Sequence, residues 1–149
     1  LKRGQRLHVI VQTPRFTDEY YALYQEYITE RHADGDMFPV SVNQFDSFLA
    51  QPIEFARFFE FRLDGKLMAL AVTDVLEDSL SAVYCFFDPK DKYFSLGRNA
   101  ILWQIQHAQY LGLDYLYLGY WIKECRKMNY KSQYQPMEYL VDGQWQQQP

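Results

Sequence analysis

The sequence predicts an α/β (α+β) fold, a mixed twisted sheet with helices on both of its faces. Hydrophobic side chains alternate with period two over several short stretches, and two longer stretches among them repeat apolar residues at helical spacing. Asp64-Gly65 joins two of the strands as a hairpin, so the sheet cannot be purely parallel. With 149 residues and 48% hydrophobic content, the chain can bury a sizeable core as one domain.

Residues 5 to 13 read as a strand with Leu7, Val9 and Val11 on one face, stopped by Pro14. A helix to Arg31 follows, N-capped by Thr17, with Tyr20, Leu23, Tyr24, Tyr27 and Ile28 as its buried stripe. Ala33-Asp34-Gly35-Asp36 breaks that pattern. Ser41-x-x-Gln44 is a capping box for a short helix to Ala50, ended by Pro52. Phe58 to Leu63 and Lys66 to Leu76 form the hairpin, and Glu77-Asp78-Ser79 turns the chain into a strand from Leu80 to Phe87. A helix from Leu96 to Leu111 should carry Ile101, Leu102, Ile105 and Ala108 inward, with Gly112 as its stop. Tyr115 to Leu118 alternates as a strand and ends at Gly119. A short helix or turn is expected over residues 122–128 and an extended stretch over 130–141. Asp142-Gly143 before Trp145 predicts a last hairpin. No repeat and no dividing linker is visible.

Composition narrows the function classes. A net charge of −4 and a pI near 5.3 argue against a non-specific nucleic-acid binder, yet leave room for a local basic groove. No apolar run approaches the ~18 residues of a membrane span, and the first residues carry no signal-peptide pattern, so no membrane partner is expected. Cys85 and Cys125 make neither a disulfide framework nor a metal cluster, which points to a reducing, cytoplasmic setting and to no metal site. Oligomeric state is not encoded in any of these features.

The most informative stretch is Tyr115 to Pro136. An alternating strand there delivers an aromatic step, Tyr120-Trp121, into a run holding Lys123, Arg126, Lys127 and Lys131, opposed only by Glu124. The order Tyr117-Leu118-Gly119-Tyr120, Trp121-Ile122, Lys127-Met128-x-Tyr130-Lys131, then Tyr134 and Pro136, resembles a signature of the aminoacyl-tRNA–protein transferases that extend N-terminal acidic residues. That family includes eukaryotic arginyl-transferases and bacterial leucyl-transferases. Leu23 to Phe38 and Phe86 to Leu102 are similar to two further segments of it, and Arg3 to Arg6 resembles the basic stretch before its first strand. The resemblance implies aminoacyl-tRNA as co-substrate, with no other cofactor in this domain. It also implies transfer, most readily of leucine, to proteins with N-terminal Asp or Glu, marking them for degradation. The leucyl choice rests on the bacterial look of Arg31-His32-Ala33-Asp34-Gly35. The family's N-terminal cysteine-bearing region is absent and the chain begins at Leu1. The expectation is therefore the C-terminal domain, residues 1–149, of a longer protein.

The element order also resembles the acetyltransferase-type (GNAT-like) fold, whose fourth and fifth strands splay apart around the acyl donor. That places Tyr84, Asp88 and Tyr120 near the gap. The helix from Leu96 would aim free N–H groups at a phosphate, making Ser95, Leu96, Gly97 and Arg98 candidates for the tRNA end. The acetyl-CoA loop pattern, Arg/Gln-x-x-Gly-x-Gly/Ala, reads here as Phe94-x-x-Gly97-x-Asn99, lacking its first polar and last small residue.

No nucleophilic triad is visible. His8 and His107 read as structural, whereas His32 reads equally as a helix-end cation or a site residue. Aminoacyl transfer starts from an activated ester and needs mainly orientation, for which Tyr24, Tyr84, Tyr120 and Tyr130 are candidates, each also readable as core. Tyr84, Tyr120 and His32 are the expected catalytic set. An acidic acceptor needs a fixed cation, and Lys127, Lys131 and then Arg126 are the best placed. Phosphate contacts from Arg3, Arg6, Lys90, Lys92 and Lys123 are weakly specified. Two alternatives stay open: an acetyl-CoA-dependent N-acetyltransferase of the same fold, and a non-catalytic peptide- or RNA-binding module.

Overall fold

A computed structural model describes residues 6–121 and 123–148. The expectations that fall on Arg3 and Ile122 lie outside the described residues. Where the sequence suggested no division, the chain forms two compact units, one running through Tyr117 and one starting at Leu118.

The first unit holds a five-stranded sheet in the order β1-β2-β3-β4-β5. Its strands are β1 (His8–Gln12), β2 (Ala56–Leu63), β3 (Lys66–Val75), β4 (Ser79–Phe87) and β5 (Tyr115–Tyr117). The first three pairings are antiparallel and the last is parallel, which makes the predicted mixed sheet. Asp64 and Gly65 both take positive φ, 49° and 83°, the type I′ geometry that matches the twist of the strands they join.

Helices α1 (Asp18–Arg31), α2 (Val42–Phe48) and α3 (Leu96–Tyr110) cover the sheet. Phe58, Leu70, Val72 and Phe86 pack with the α1 stripe and with Phe45 of α2. Phe59, Phe61, Ala69 and Ala71 pack instead with Leu96 and Ala100 of α3. Thr17 caps α1, accepting the Tyr20 N–H at 3.0 Å. Ser41 accepts the Gln44 N–H at 3.1 Å, but the capping box is only half made, because the Gln44 side chain turns to Tyr24 and Met37 instead.

Two further expectations are corrected. Leu102 is exposed and Gln104 buried on α3, where Thr73 donates its hydroxyl to Gln104 Oε1 at 2.7 Å and Gln104 Nε2 donates to Ala100 O at 3.1 Å. A buried amide is tolerated there because its groups are paired. Residues 130–141 are not uniformly extended, since Asn129–Gln133 winds into a 3-10 turn before the next strand.

A second buried polar group ties α1 to the sheet. Glu60 is 2% exposed, accepts the Tyr20 hydroxyl at Oε1, and accepts Arg62 Nε at Oε2 over 2.8 Å. Arg62 reaches on to Glu19 of α1 at 2.6 Å. Burial pushes the Glu60 carboxyl up, but its hydrogen bonds from Arg62 and Tyr20 outweigh this and hold it below its ordinary value.

The β4–β5 pairing is short. It covers Ser79–Tyr115, Leu80–Leu116 and Ser81–Tyr117 and then stops, while β4 runs on to Phe87. The register against β3 slips between Ala82 and Tyr84, so Val83 is an extra residue that bends β4 where its β5 partner ends. The expected gap between Leu80–Phe87 and Tyr115–Gly119 is thus closed at Leu80 and Ser81, and among the described residues β4 runs beyond its β5 pairing from Ala82 to Phe87.

The second unit contains the Asn129–Gln133 turn and a hairpin of β6 (Tyr139–Val141) and β7 (Gln144–Gln146). Asp142 and Gly143, at φ 50° and 78°, make the predicted turn.

Candidate active site

Tyr84 sits on the open stretch of β4, half-buried, with its ring 6.4 Å from Tyr24, 6.3 Å from Phe48 and 6.4 Å from Phe86. Its hydroxyl makes no hydrogen bond among the described residues, and burial pushes the phenol well above its ordinary pKa. A neutral, unpaired donor beside unpaired strand edge can orient a carbonyl or an amine. Tyr24 is different: it is 0% exposed and donates to Gln44 Oε1 at 3.3 Å, so it forms the floor beneath Tyr84. Cys85 packs against the α3-side core, and burial pushes its thiol up to about 12, far from a nucleophilic thiolate.

A second cluster gathers at the far end of β4. His32, the C-cap of α1, has Nε2 2.9 Å from the Tyr27 hydroxyl, with the two rings 4.9 Å apart. The Tyr27 ring lies 4.9 Å from Phe87, and the Arg31 guanidinium lies over the Phe87 ring at 5.0 Å. Phe87 in turn presses on the first turn of α3, where a Cβ at Gly97 would come 3.1 Å from its Cε1. Only a glycine gives α3 this approach without displacing the ring. His32 and the start of α3 are thus held together through Tyr27 and Phe87.

Ser95 takes a left-handed conformation (φ 49°) and its side chain makes no capping bond, while Asn99 Nδ2 turns back to Phe94 O. Leu96 is buried in the core and Arg98 is exposed. Asp88 is committed locally: its carboxylate meets Lys66 at 3.4 Å and accepts the Lys90 N–H at 2.9 Å. It lines a groove of about 330 Å³ with Glu19, Glu26, Lys66 and Lys90. Lys90 is paired with Glu26 at 3.2 Å, so the opposed charges of this groove largely satisfy one another. Arg6 and Lys92 are exposed.

Tyr120, Lys123, Arg126, Lys127, Tyr130 and Lys131 belong to the second unit. Its loop is closed on itself: Trp121 Nε1 donates to Asn129 O at 3.1 Å, Asn129 Nδ2 to Lys123 O at 3.2 Å, and Lys131 Nζ to Tyr120 O at 2.9 Å. Burial pushes the Lys131 amine below its ordinary pKa. Lys131, expected beside the acceptor's carboxylate, also fastens the loop through its bond to Tyr120 O. Lys123, Arg126 and Lys127 are exposed, Tyr130 keeps part of its ring in solvent, and Tyr120 is 86% exposed.

The sequence suggested no site role for Tyr27, Phe87 or Phe48, and marked Arg31 only beside His32. Tyr27 was legible only as part of the helix stripe, and Phe48 carried no signal, since its partner Tyr84 lies on a distant strand. Gly97 was visible as a small residue at a helix start, but its packing on Phe87 was not.

A protein-family model described as arginine-tRNA-protein transferase, C terminus, matches residues 19–141. The aspartate/glutamate leucyltransferase of Pseudomonas fluorescens (strain Pf0-1) is 58% identical over 144 residues, covering 97% of this chain and 61% of that protein. The protein of the same name from Pseudomonas aeruginosa (strain LESB58) is 59% identical over 145 residues, covering 97% of this chain and 62% of that protein. The chain thus spans 61% to 62% of the length of these curated relatives. Among solved structures, the ribosomal-protein-S18-alanine N-acetyltransferase of Escherichia coli superposes with a TM-score of 0.52 at 27% identity, over 73% of this chain and 64% of that one. An acetyltransferase of Bacillus subtilis in complex with CoA gives 0.52 at 13% identity, over 93% of this chain and 92% of that one. The fold is the acetyltransferase type.

Proposed function

The chain belongs to the arginine-tRNA-protein transferase C-terminal family, and on that premise we propose that it transfers an amino acid, leucine above all, from aminoacyl-tRNA to the N-terminal Asp or Glu of acceptor proteins. The carrying observation is the near-60% identity to leucyltransferases along almost the whole chain, including the run from Tyr117 to Pro136. The extension marks the acceptor for degradation, and the cytoplasm, where charged tRNA and new N-termini meet, is its setting. No helix among the described residues is long and apolar enough to cross a membrane.

In the reaction the acceptor's α-amine nitrogen bonds to the aminoacyl carbonyl carbon, and the ester C–O bond breaks. The terminal ribose oxygen leaves with a proton that the amine gives up. An α-amine with a pKa of about 7.7–8.0 is partly neutral at physiological pH, so one weak base suffices. Orientation can supply up to ~7–11 kcal/mol of barrier reduction. We assign orientation of the ester to Tyr84 and the stretch of β4 beyond its β5 pairing, and proton handling to His32. The first turn of α3, Ser95 to Arg98, takes the terminal phosphate. Arg126 and Lys127 take the acceptor's carboxylate, with Tyr130 beside them in sequence. The departures at Phe94 and Asn99, together with the Asn99 amide turned back onto Phe94 O, count against coenzyme A in that place.

The test is a transfer assay with leucyl-tRNA, arginyl-tRNA and acetyl-CoA, against peptides beginning Asp, Glu or Lys. It is run on this chain and on a version extended by the remaining length of the Pseudomonas relatives. Leucine transfer to the acidic peptides is expected, and Arg126→Met or Lys127→Met should weaken those peptides by about 10- to 150-fold. Acetyl transfer without tRNA dependence overturns the proposal.

A further inference from the structure

The stretch of β4 beyond its β5 pairing carries, beside Tyr84, an aromatic ring to which the proposed reaction gives no role: Phe48. Phe48, at the end of α2, is 54% exposed, although a Phe ring has every reason to be buried. Its ring meets Tyr84 edge-on, at 6.3 Å and 79°. Tyr24 and Phe86, both fully buried, lie under Tyr84 and fix its height. The result is an apolar surface with Tyr24 and Phe86 beneath it, on the stretch of β4 that runs beyond its pairing with β5.

The charges around it decide what it can hold. No ion pair or hydrogen bond brings a carboxylate to either ring among the described residues. Burial first, then Tyr24 and Cys85, push the Tyr84 phenol up. Among the described residues no cation lies over either ring. An arginyl group set on these rings meets π faces, which repay its desolvation weakly. An isobutyl group loses nothing by leaving water.

We propose that Phe48 and Tyr84 form the seat for the donor's side chain and select an apolar aminoacyl group, leucyl, over a cationic one. This rests on the leucyl-transfer reading above and names the residues that set its donor. A hydrophobic pocket discriminates by about 10- to 200-fold per methylene, the range expected when Phe48 contacts on the donor side chain are lost.

The experiment compares the parent with Phe48→Ala, Phe48→Glu and Tyr84→Phe, each first checked for cooperative thermal unfolding. Two readouts run together: kcat/KM for leucyl- and arginyl-tRNA, and calorimetric binding of 3′-leucylamino- and 3′-arginylamino-3′-deoxyadenosine. Phe48→Ala should lower leucyl kcat/KM about 10-fold with the acceptor peptide KM unchanged. Phe48→Glu should shift the leucyl-to-arginyl ratio toward arginyl in both readouts, and Tyr84→Phe should keep the ratio. A leucyl analogue that binds by these rules supports the seat even where transfer to acidic peptides fails. Leucine transfer by folded Phe48 variants at an unchanged ratio overturns the seat and leaves the function standing. Failure of the parent to bind either analogue overturns the seat as well.

Discussion

Replacing Glu60 tests whether its buried network holds α1 on the sheet. Glu60→Leu fills the space but leaves the Tyr20 hydroxyl and Arg62 Nε without their acceptor. Breaking a buried charge pair costs ~3–5 kcal/mol, and the lower end applies because Arg62 is 18% exposed and keeps Glu19 at 2.6 Å. At ~2–4 °C per kcal/mol for a chain of this size, Tm should fall by ~6–12 °C. Glu60→Gln keeps one acceptor and should lose about half as much. The pH dependence follows from the lowered carboxyl pKa. A group whose folded pKa lies below its unfolded value of about 4.3 stabilises the fold above that pH. That contribution disappears as pH falls through the folded value. The parent should therefore lose stability on acidification below about pH 4.3, and Glu60→Gln should show a shallower loss over the same window. The assay is Tm by circular dichroism from pH 3 to 7. A Glu60→Leu variant within ~2 °C of the parent, or equal acid slopes in parent and Glu60→Gln, refutes the reasoning.

Two further outcomes follow from single contacts. Tyr27→Phe removes the 2.9 Å bond to His32 and keeps the ring on Phe87. It should cost ~0.5–1.5 kcal/mol, about 2- to 13-fold in transfer kcat/KM. A fall in Tm with kcat/KM intact makes the pair structural only. Lys131→Met removes the bond to Tyr120 O and should raise hydrogen exchange across residues 118–135 and change Trp121 emission, while preference for acidic over Lys-initiated peptides persists. Loss of that preference with exchange unchanged returns Lys131 to the acceptor's carboxylate.

Local chemistry made much of both units legible. Thr17, Asp64-Gly65, the stripe from Tyr20 to Ile28 and Asp142-Gly143 act through bonds and angles within a few residues, so the chain itself dictates them. The order of elements was readable for the same reason, but not that β5 is only three residues long and pairs with β4 at Ser79 to Ser81. Other features depend on partners far away in sequence. Gln104 is buried and Leu102 exposed because Thr73 lies 31 positions back and offers a hydroxyl. Glu60 is buried because Tyr20, 40 positions earlier, reaches it. Lys131 looked like a free cation until the loop returned its amine to Tyr120, and Phe48 looked like a helix end until Tyr84 came beside it. Residue type and spacing determined which chemistry this protein carries. Only tertiary structure decided which polar groups are already satisfied and which remain for a ligand, because a hydrogen bond depends on distance in space and not on separation along the chain.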